Sequence, residues 1–297
     1  MRAVVRLVLL LACLLAQLAW LPARALEALP DEVLSDVRGR DGLMFDLSNF
    51  AVSGNATLTY YAPAPDTSSI WWGNFYATRS DNTAAPYGDP YQLQIVGRPG
   101  MADVIELLNP VNAGGVEQWQ IAFDWGVNAD GINAQGGTVM ARNLAIMGGG
   151  LQITTPTAGT GDGVAWGLSL GLNIGNLMFQ PRGRDTDGFT DPSAVPEQLN
   201  LSGVHIGAAT SDGSNPTQPW VIADATNQPG ILTITTDPDG TPHLHVGIGW
   251  PQNGTQAPVG TIAVDNITFQ SDVTGNVNLG ASRIAGIQIQ YMDIKFK

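Results

Sequence analysis

An eight-residue pattern of apolar and polar positions recurs along this chain. In residues 262–269 the apolar positions alternate as far as Val264 and resume at Ile267, three residues later. Side chains of a strand alternate between its two faces with a period of two, so a spacing of three predicts a bulge or corner at residues 265–266. Asn266 suits such a corner, because Asn is one of the few residues besides Gly that tolerate a left-handed backbone.

The pattern, called the octad below, occurs at residues 45–52, 139–146, 172–179, 199–206, 262–269 and 289–296. The corner position holds Asn in four octads and Gly203 or Asp293 in the other two. Copies about 30 residues apart are typical of solenoids and arrays of strands. With 36 Gly, 19 Pro and few segments of helical period, the octads predict an all-β fold. Both an irregular β-solenoid and an elongated β-sandwich fit the pattern.

Residues 1–25 have the three parts of a secretory signal peptide. Arg2 and Arg6 form the positive start, residues 7–21 are apolar, and the sequence ARA ending at Ala25 is a small-x-small cleavage site. We therefore expect export to the periplasm, the outer-membrane surface or the extracellular space. No later apolar run is long enough to span a membrane, so the mature chain is expected to have no integral membrane segment.

Residues 26–42 predict a short helix that caps the β domain. Pro30 suits the first helical turn, apolar residues at a spacing of four share one face, and Gly39 suits the position after the last turn. Such a cap would shield the first strand of the sheet. No linker composition follows, so residues 43–297 are interpreted as a single β domain with internal repeats.

The sequence LPDEVLSDVRGRDG at residues 29–42, directly after a signal peptide and followed by LMF, carries a family resemblance. It resembles the start of a group of exported proteins of Gram-negative bacteria, some of which are described as pilus-assembly proteins of the FilA type. The resemblance covers about thirty residues at the start of the mature chain. It implies a cell-surface or pilus-associated β-protein and transfers no catalytic residue.

The chain is strongly acidic, with a formal net charge of −13 and only two lysines, Lys295 and Lys297. Such a surface repels nucleic acid, which is therefore not expected as a partner. The charge is compatible with cation binding, and a requirement for solubility explains it equally well. The only cysteine, Cys13, lies in the leader, so the mature domain is expected to fold without disulfides.

Two acidic loops that contain glycine are candidates for calcium binding. One holds Asp185, Asp187 and Asp191, and the other holds Asp237 and Asp239. Calcium takes six to eight oxygen ligands, which loops of this composition supply through carboxylates and carbonyls. Neither loop has the complete spacing or the closing Glu, and ordinary Asp-Gly turns have the same composition. Calcium is the one cofactor that the sequence suggests, with plain turns as the alternative.

The three histidines and the absence of nucleophile motifs bear on catalysis. His243 and His245 would share one face of a strand, which supplies two ligands of a zinc site that needs at least one more. A solvent-facing pair is the alternative, and the position of His205 relative to this pair is open. The chain has no Gly-x-Ser-x-Gly motif, no cysteine after the leader and no phosphate-binding loop. The sequence therefore predicts a protein that is not an enzyme.

The segment from residue 60 to residue 91 concentrates aromatic residues among turn-forming ones. The candidate ligand-binding residues are Tyr60, Tyr61, Trp71, Trp72 and Tyr76. Because Trp71 and Trp72 are neighbours, an extended backbone would direct them to opposite faces, and only one could enter the core. Exposed aromatic side chains stack on sugar rings or anchor a protein partner. The alternative is that these side chains pack back on the sheet.

These observations favour an exported structural or adhesive protein of the cell surface, or one associated with a pilus. Its expected partners are pilus or surface proteins, or a glycan. The first alternative is a carbohydrate-binding module that uses the aromatic segment, and the second is a secreted glycan-active enzyme.

Overall fold

The computed structural model describes residues 42–47, 49–62, 67–81, 89–97, 102–112, 114–156, 163–181, 197–249, 257–289 and 291–296. The leader, the predicted cap helix apart from Gly42, and the loop with Asp185, Asp187 and Asp191 lie outside these residues. All the residues described belong to one unit, residues 42–297. Within them there is no helix, and hence none long and apolar enough to cross a membrane.

In this part of the chain the secondary structure consists of strands. In chain order they are β1 (Leu43–Phe45), β2 (Ala51–Tyr61), β3 (Ser69–Arg79), β4 (Tyr91–Val96), β5 (Val104–Leu108), β6 (Trp119–Ala129), β7 (Ile132–Thr154), β8 (Val164–Gln180), β9 (Gln198–Ala208), β10 (Trp220–Ala223), β11 (Gly230–Thr236), β12 (Pro242–Gly249), β13 (Gly260–Ser271), β14 (Gly275–Ile287) and β15 (Tyr291–Phe296). The all-β prediction is confirmed.

The strands form one large antiparallel sheet that is forked and not closed. β7 and β8, with 23 and 17 residues, run through both parts of the fork. The first branch has the strand order β2-β3-β6-β7-β8-β9-β13-β14. The second branch has the order β1-β4-β5-β7-β8-β11-β12-β15, and β10 pairs with β8 between the two branches. The first half of β7 pairs with β6 and its second half pairs with β5.

Three consecutive glycines mark the point where β7 passes from one branch to the other. Gly148, Gly149 and Gly150 all have positive φ, and the register with β8 shifts between Ile146 and Gly149. A Cβ atom on Gly150 would lie 2.2 Å from the carbonyl oxygen of Leu107 on β5. Only glycine satisfies both the backbone angle and the close approach of the neighbouring strand, so the sequence GGG fixes the place of the fork.

Four of the octads lie on neighbouring strands with their ends aligned. Residues 139–146 are in β7, residues 172–179 in β8, residues 199–206 in β9 and residues 262–269 in β13. The aligned apolar ends that oppose one another across the sheet are Val139, Phe179, Leu199 and Phe269. All four strands therefore carry their corner at the same level.

The corner keeps one face of the sheet apolar, as the spacing of three predicts. Ile174, Val204 and Val264 form a buried cluster, and apolar residues from the other side of the corner pack against it, namely Ala141, Leu177, Leu201 and Ile267. Without the corner, the two groups would lie on opposite faces. The predicted interruption of the alternation is confirmed, and it builds a core that is continuous along the strands.

The left-handed backbone predicted for the corner occurs in some octads only. Asn49, Asn143 and Gly203 have φ angles of 57°, 51° and 61°. The prediction is wrong for Asn176 and Asn266, which are not among the residues with positive φ. Both pair in the ladder with Ser202 of β9, so both keep the extended backbone that pairing requires.

The second branch has an exposed apolar face and a buried polar face. The exposed side chains on three adjacent strands are Leu93, Ile95, Ile105, Leu151 and Ile153. On the other face Glu106 is buried and accepts hydrogen bonds from Gln94 (2.8 Å) and Gln152 (3.0 Å). The backbone N–H of Ala225 donates to Gln152, so the segment after β10 lies against the polar face. The aliphatic face of this branch is left open to solvent.

Candidate functional site

The predicted aromatic residues lie on two paired strands and do not form a single cluster. Tyr60 and Tyr61 end β2 and are 56% and 71% exposed. Trp71 and Trp72 lie in β3, and both are half-buried. Tyr76 packs against a core of buried residues, so the most exposed of the five predicted residues are the two tyrosines at the end of β2.

Trp71 occupies the space that a side chain would fill on a neighbouring strand. A Cβ atom on Gly126 of β6 would lie 2.6 Å from the Trp71 ring. A tryptophan ring occupies the place of a glycine Cβ in three more pairs, Trp125 with Gly136, Trp166 with Gly230, and Trp220 with Gly260. An aromatic ring over a strand glycine restores the packing that the missing side chain would give. Trp71 therefore has a packing role in the sheet.

The acidic turn between β11 and β12 has the contacts of an ordinary turn. The backbone N–H of Thr241 donates to the Asp239 carboxylate at 3.0 Å and lowers the pKa of that group. The Asp237 carboxylate lies 2.8 Å from the ring of buried His243. Among the residues described, no group of three or more His, Cys, Asp or Glu side chains is placed to hold a metal ion. Calcium binding by residues 185–191 stays a prediction.

His205 lies in a polar site on β9, and His243 and His245 lie on β12. The His205 ring is 2.8 Å from the Asn173 carbonyl oxygen and 3.2 Å from the Asp265 carboxylate. Asp265 takes the position that a side chain on Gly203 would fill, which explains glycine at that corner. The histidine therefore joins three neighbouring octad strands, β8, β9 and β13.

A buried polar network lies where β3, β4 and β6 begin or end. The Trp119 ring N–H lies 3.0 Å from the Glu117 carboxylate and 3.2 Å from the Tyr91 hydroxyl, to both of which it donates. Arg79 forms an ion pair with Asp81 beside them. Burial raises the pKa of Glu117, and the nearby Tyr91 hydroxyl and Arg79 guanidinium offset this only in part. Arg79, Tyr91, Glu117 and Trp119 are all buried, so the network is enclosed within the protein.

The free energy of unfolding is expected to fall with rising pH because of Glu117. Its raised folded pKa means that the folded state holds a proton that the unfolded state releases near pH 4.5, the ordinary value. The resulting stability is present below pH 4.5 and is lost as pH rises through the folded pKa. Each unit by which the pKa is raised amounts to about 1.4 kcal/mol.

Glu117→Gln removes this titration while keeping an oxygen that accepts from Trp119. The stability of the variant relative to the natural protein, measured by urea denaturation, should therefore increase between pH 4.5 and pH 7.5. A difference that is constant across this range would show that Glu117 does not titrate differently in the folded state.

A cleft of about 340 Å³ lies beside the glycine bend of β7. Its walls include Gly149, Gly167, Ser169, Gln152 and Asp224. Gln152 already bonds to Glu106 and to Ala225, and Asp224 accepts from the backbone N–H groups of the turn that follows it. The side chains of Gln152 and Asp224 thus hold the fold together at the wall of the cleft.

The two outer strands of the first branch are long, exposed and almost free of charge; they are called the open edges below. β2 has 11 residues and no charged side chain, and β14 has 13 residues with Arg283 as its only charge. Each pairs with a single neighbouring strand among those described. Their exposed apolar side chains are Val52, Leu58, Tyr60, Tyr61, Val277, Leu279 and Ile284.

The outer strands of the second branch differ from the open edges. β1 has only three residues, and β15 contains Asp293 and Lys295. Short strands and charged side chains are the usual ways in which proteins prevent a sheet edge from pairing with another chain. The sequence pattern does not reveal this contrast, because it does not show which strands end the sheet.

Neither a protein-family model, nor a curated protein, nor a solved structure matches the chain. The function is therefore inferred from the contacts and exposure of the chain's own residues.

Proposed function

We propose that this chain is an exported, non-catalytic structural protein that assembles with other proteins at the cell surface, as in a pilus. The observation that carries the proposal is the pair of open edges, β2 and β14. An exposed, uncharged strand at the end of a sheet offers a row of backbone N–H and C=O groups to another chain. Such strands suit a protein that works in an assembly.

The exposed aliphatic face of the second branch also supports assembly. Large contiguous apolar patches on a soluble protein mark places where a partner binds. The five side chains of this face on β4, β5 and β7 are between 37% and 47% exposed. Stacking of two such faces would give a sandwich of sheets. The octads fit both an elongated β-sandwich and an irregular β-solenoid.

The start of the chain is consistent with this function. A signal peptide at residues 1–25 would export the protein, and the resemblance of residues 29–42 to FilA-type proteins associates it with pili. A location at the outer-membrane surface or outside the cell brings the open edges into contact with surface proteins.

The location of the protein in a Gram-negative host tests this proposal. We expect a mature chain that begins at Leu26 and is released with surface fibres when cells are sheared. Mass spectrometry of the sheared fraction measures both the N-terminus of the chain and its release. A periplasmic enzyme is the control for leakage. A chain found only in the periplasm or the cytoplasm would contradict surface assembly.

A second candidate function is glycan binding by the end of β2. Tyr60 and Tyr61 are exposed, and aromatic rings stack on sugars. Binding of the purified protein to a glycan array, lost in Tyr60→Ala and Tyr61→Ala, would favour this function. The secreted glycan-active enzyme is the least supported reading.

A further inference from the structure

We propose that the two open edges bind each other, so that β2 of one copy pairs with β14 of the next and the chain polymerises head to tail. The proposal rests on the proposed function and names the partner as a second copy of this chain. Four observations support it: strand direction, continuity of the two faces, the absence of protective residues, and the length of the edges.

The strand directions of the first branch fit such a contact. The branch has eight strands, and every neighbouring pair is antiparallel. Because the number is even, β2 and β14 run in opposite directions. A second copy displaced sideways in the same orientation therefore brings its β2 antiparallel to β14 of the first. The joint would continue the antiparallel sheet without reversing any strand.

The apolar face of the sheet continues across this contact. One cross-strand row runs from β2 to β13 and contains only apolar residues, in the order Val52, Ala77, Ile121, Ala141, Leu177, Leu201 and Ile267. On β14, Val277 opposes Phe269 and Ile284 opposes Ile262. The row that contains Val52 ends at Gly280 of β14. Joining the edges would therefore bring the exposed Val52 and Leu58 of one copy to the β14 edge of the next, on the face that carries its exposed Val277 and Ile284.

The opposite face is mainly polar at both edges, apart from Tyr61 at the end of β2. β2 carries Ser53 and Thr59 there, and β14 carries Asn276 and Asn278. Hydroxyl and amide side chains that face each other across strands form favourable pairs. A contact between β2 and β14 in this orientation therefore joins two mainly apolar faces, with Ser282 of β14 as a polar exception, and two mainly polar faces.

The open edges lack the residues that keep sheets from joining. Neither β2 nor β14 contains Lys, Pro, Asp or Glu. The one charged side chain, Arg283, donates to the carbonyl oxygen of Ser214 at 3.2 Å and to Asn215 at 2.9 Å. These bonds hold the guanidinium against the loop before β10. The charge is thus occupied by this protein's own chain and does not guard the edge.

The length of the edges is sufficient for a specific contact. Nine residues of β2 pair with β3, on either side of a bulge between Gly54 and Thr57. A ladder of nine residues is roughly 30 Å long, because a strand rises about 3.4 Å per residue. Such a ladder forms on the order of ten backbone hydrogen bonds, a number typical of a stable protein interface. Since sheets twist in one direction, successive copies would rotate about the growing axis and form an open helical filament.

Blocking one edge at a time tests the proposal. The first variant carries Val52→Lys and Leu58→Lys on β2, and the second carries Val277→Lys and Ile284→Lys on β14. All four residues are exposed, so the fold should tolerate lysine, and circular dichroism and thermal melting check this. The matched control carries Ile132→Lys and Ile234→Lys, which are exposed and lie off the open edges.

Each protein is purified from a host that exports it, and sedimentation velocity measures its oligomeric state. We expect the natural chain and the control to form a concentration-dependent series of oligomers. Each edge variant alone is monomeric, with self-association at least tenfold weaker. An equal mixture of the two edge variants forms dimers and nothing larger, because the first keeps an intact β14 and the second keeps an intact β2.

Other outcomes overturn the proposal. A mixture that stays monomeric, or an edge variant that still polymerises, rules out pairing between β2 and β14. If lysine disturbs the fold, cysteines at Thr59 and Asn278 provide a second measurement, since the mature chain has no cysteine. If no intermolecular disulfide forms at these positions or at the adjacent positions of the edges, pairing between β2 and β14 is also ruled out. If the natural chain is monomeric yet occurs in sheared fibres, self-pairing is wrong and the surface function stands.

Discussion

Replacement of Gly137 by alanine is expected to reduce the free energy of unfolding by about 3 kcal/mol or more. Gly137 has a φ of 104°, which a residue with a side chain adopts only under strain. A Cβ atom there would also lie 2.2 Å from the carbonyl oxygen of Gln180 on β8 and 2.9 Å from Pro181. Both neighbours are backbone atoms, so relief of the contact requires the two longest strands to separate.

Gly131→Ala is the matched control for this prediction. Gly131 also has a positive φ, of 80°, but apart from its two chain neighbours no described residue has a heavy atom within 4 Å of the position that its Cβ would take. It should cost about 1 kcal/mol, the strain of the left-handed backbone alone. Urea denaturation of both variants measures the difference. Equal losses of stability would show that the contact between β7 and β8 at Gly137 contributes nothing.

Met140→Ala is expected to cost about 3 kcal/mol, in the range found for large buried side chains. Met140 of β7 opposes Met178 of β8, and both are completely buried. Together with Ala122 they form the core cluster against which Tyr76 packs. Removal of the side chain leaves a cavity between two paired strands that cannot approach each other further.

Met44→Ala provides the same chemical change at an exposed position. Met44 is 70% exposed on β1, so its removal should change stability by less than about 0.5 kcal/mol. Met140→Leu, which nearly conserves volume, should cost less than about 1.5 kcal/mol. Thermal and urea unfolding of the three variants give the comparison. A small effect of Met140→Ala would mean that the core around β7 and β8 collapses to fill the space.

The octads allowed four of the eight strands of the first branch, and the interruption within them, to be predicted from the sequence. Apolar residues three positions apart, such as Val264 and Ile267, lie on one face only if the strand is interrupted between them, and the structure has that interruption. The backbone at the corner was predicted less well, as Asn266 shows. Whether Asn takes a left-handed conformation depends on which neighbour it pairs with, and the pattern along one strand does not contain this information.

The contacts of the aromatic segment could not be predicted from local sequence. Trp71 covers Gly126, a residue on a strand much later in the chain, so its packing role depends on strand order and register. The same holds for the network of Arg79, Tyr91 and Glu117, which comes from three separate parts of the chain. The exposed state of Tyr61 likewise follows from the position of β2 at the end of a branch.

The fork of the sheet has a consequence for cooperativity. β7 and β8 are the central strands of both branches, so neither branch has a centre that belongs to it alone. If one branch unfolds, β7 and β8 lose pairing partners, and the other branch depends on the same two strands. We therefore expect the open edges and the aliphatic face to be lost together, in one unfolding transition. A change of sequence that suits one surface must also preserve the strands that carry the other.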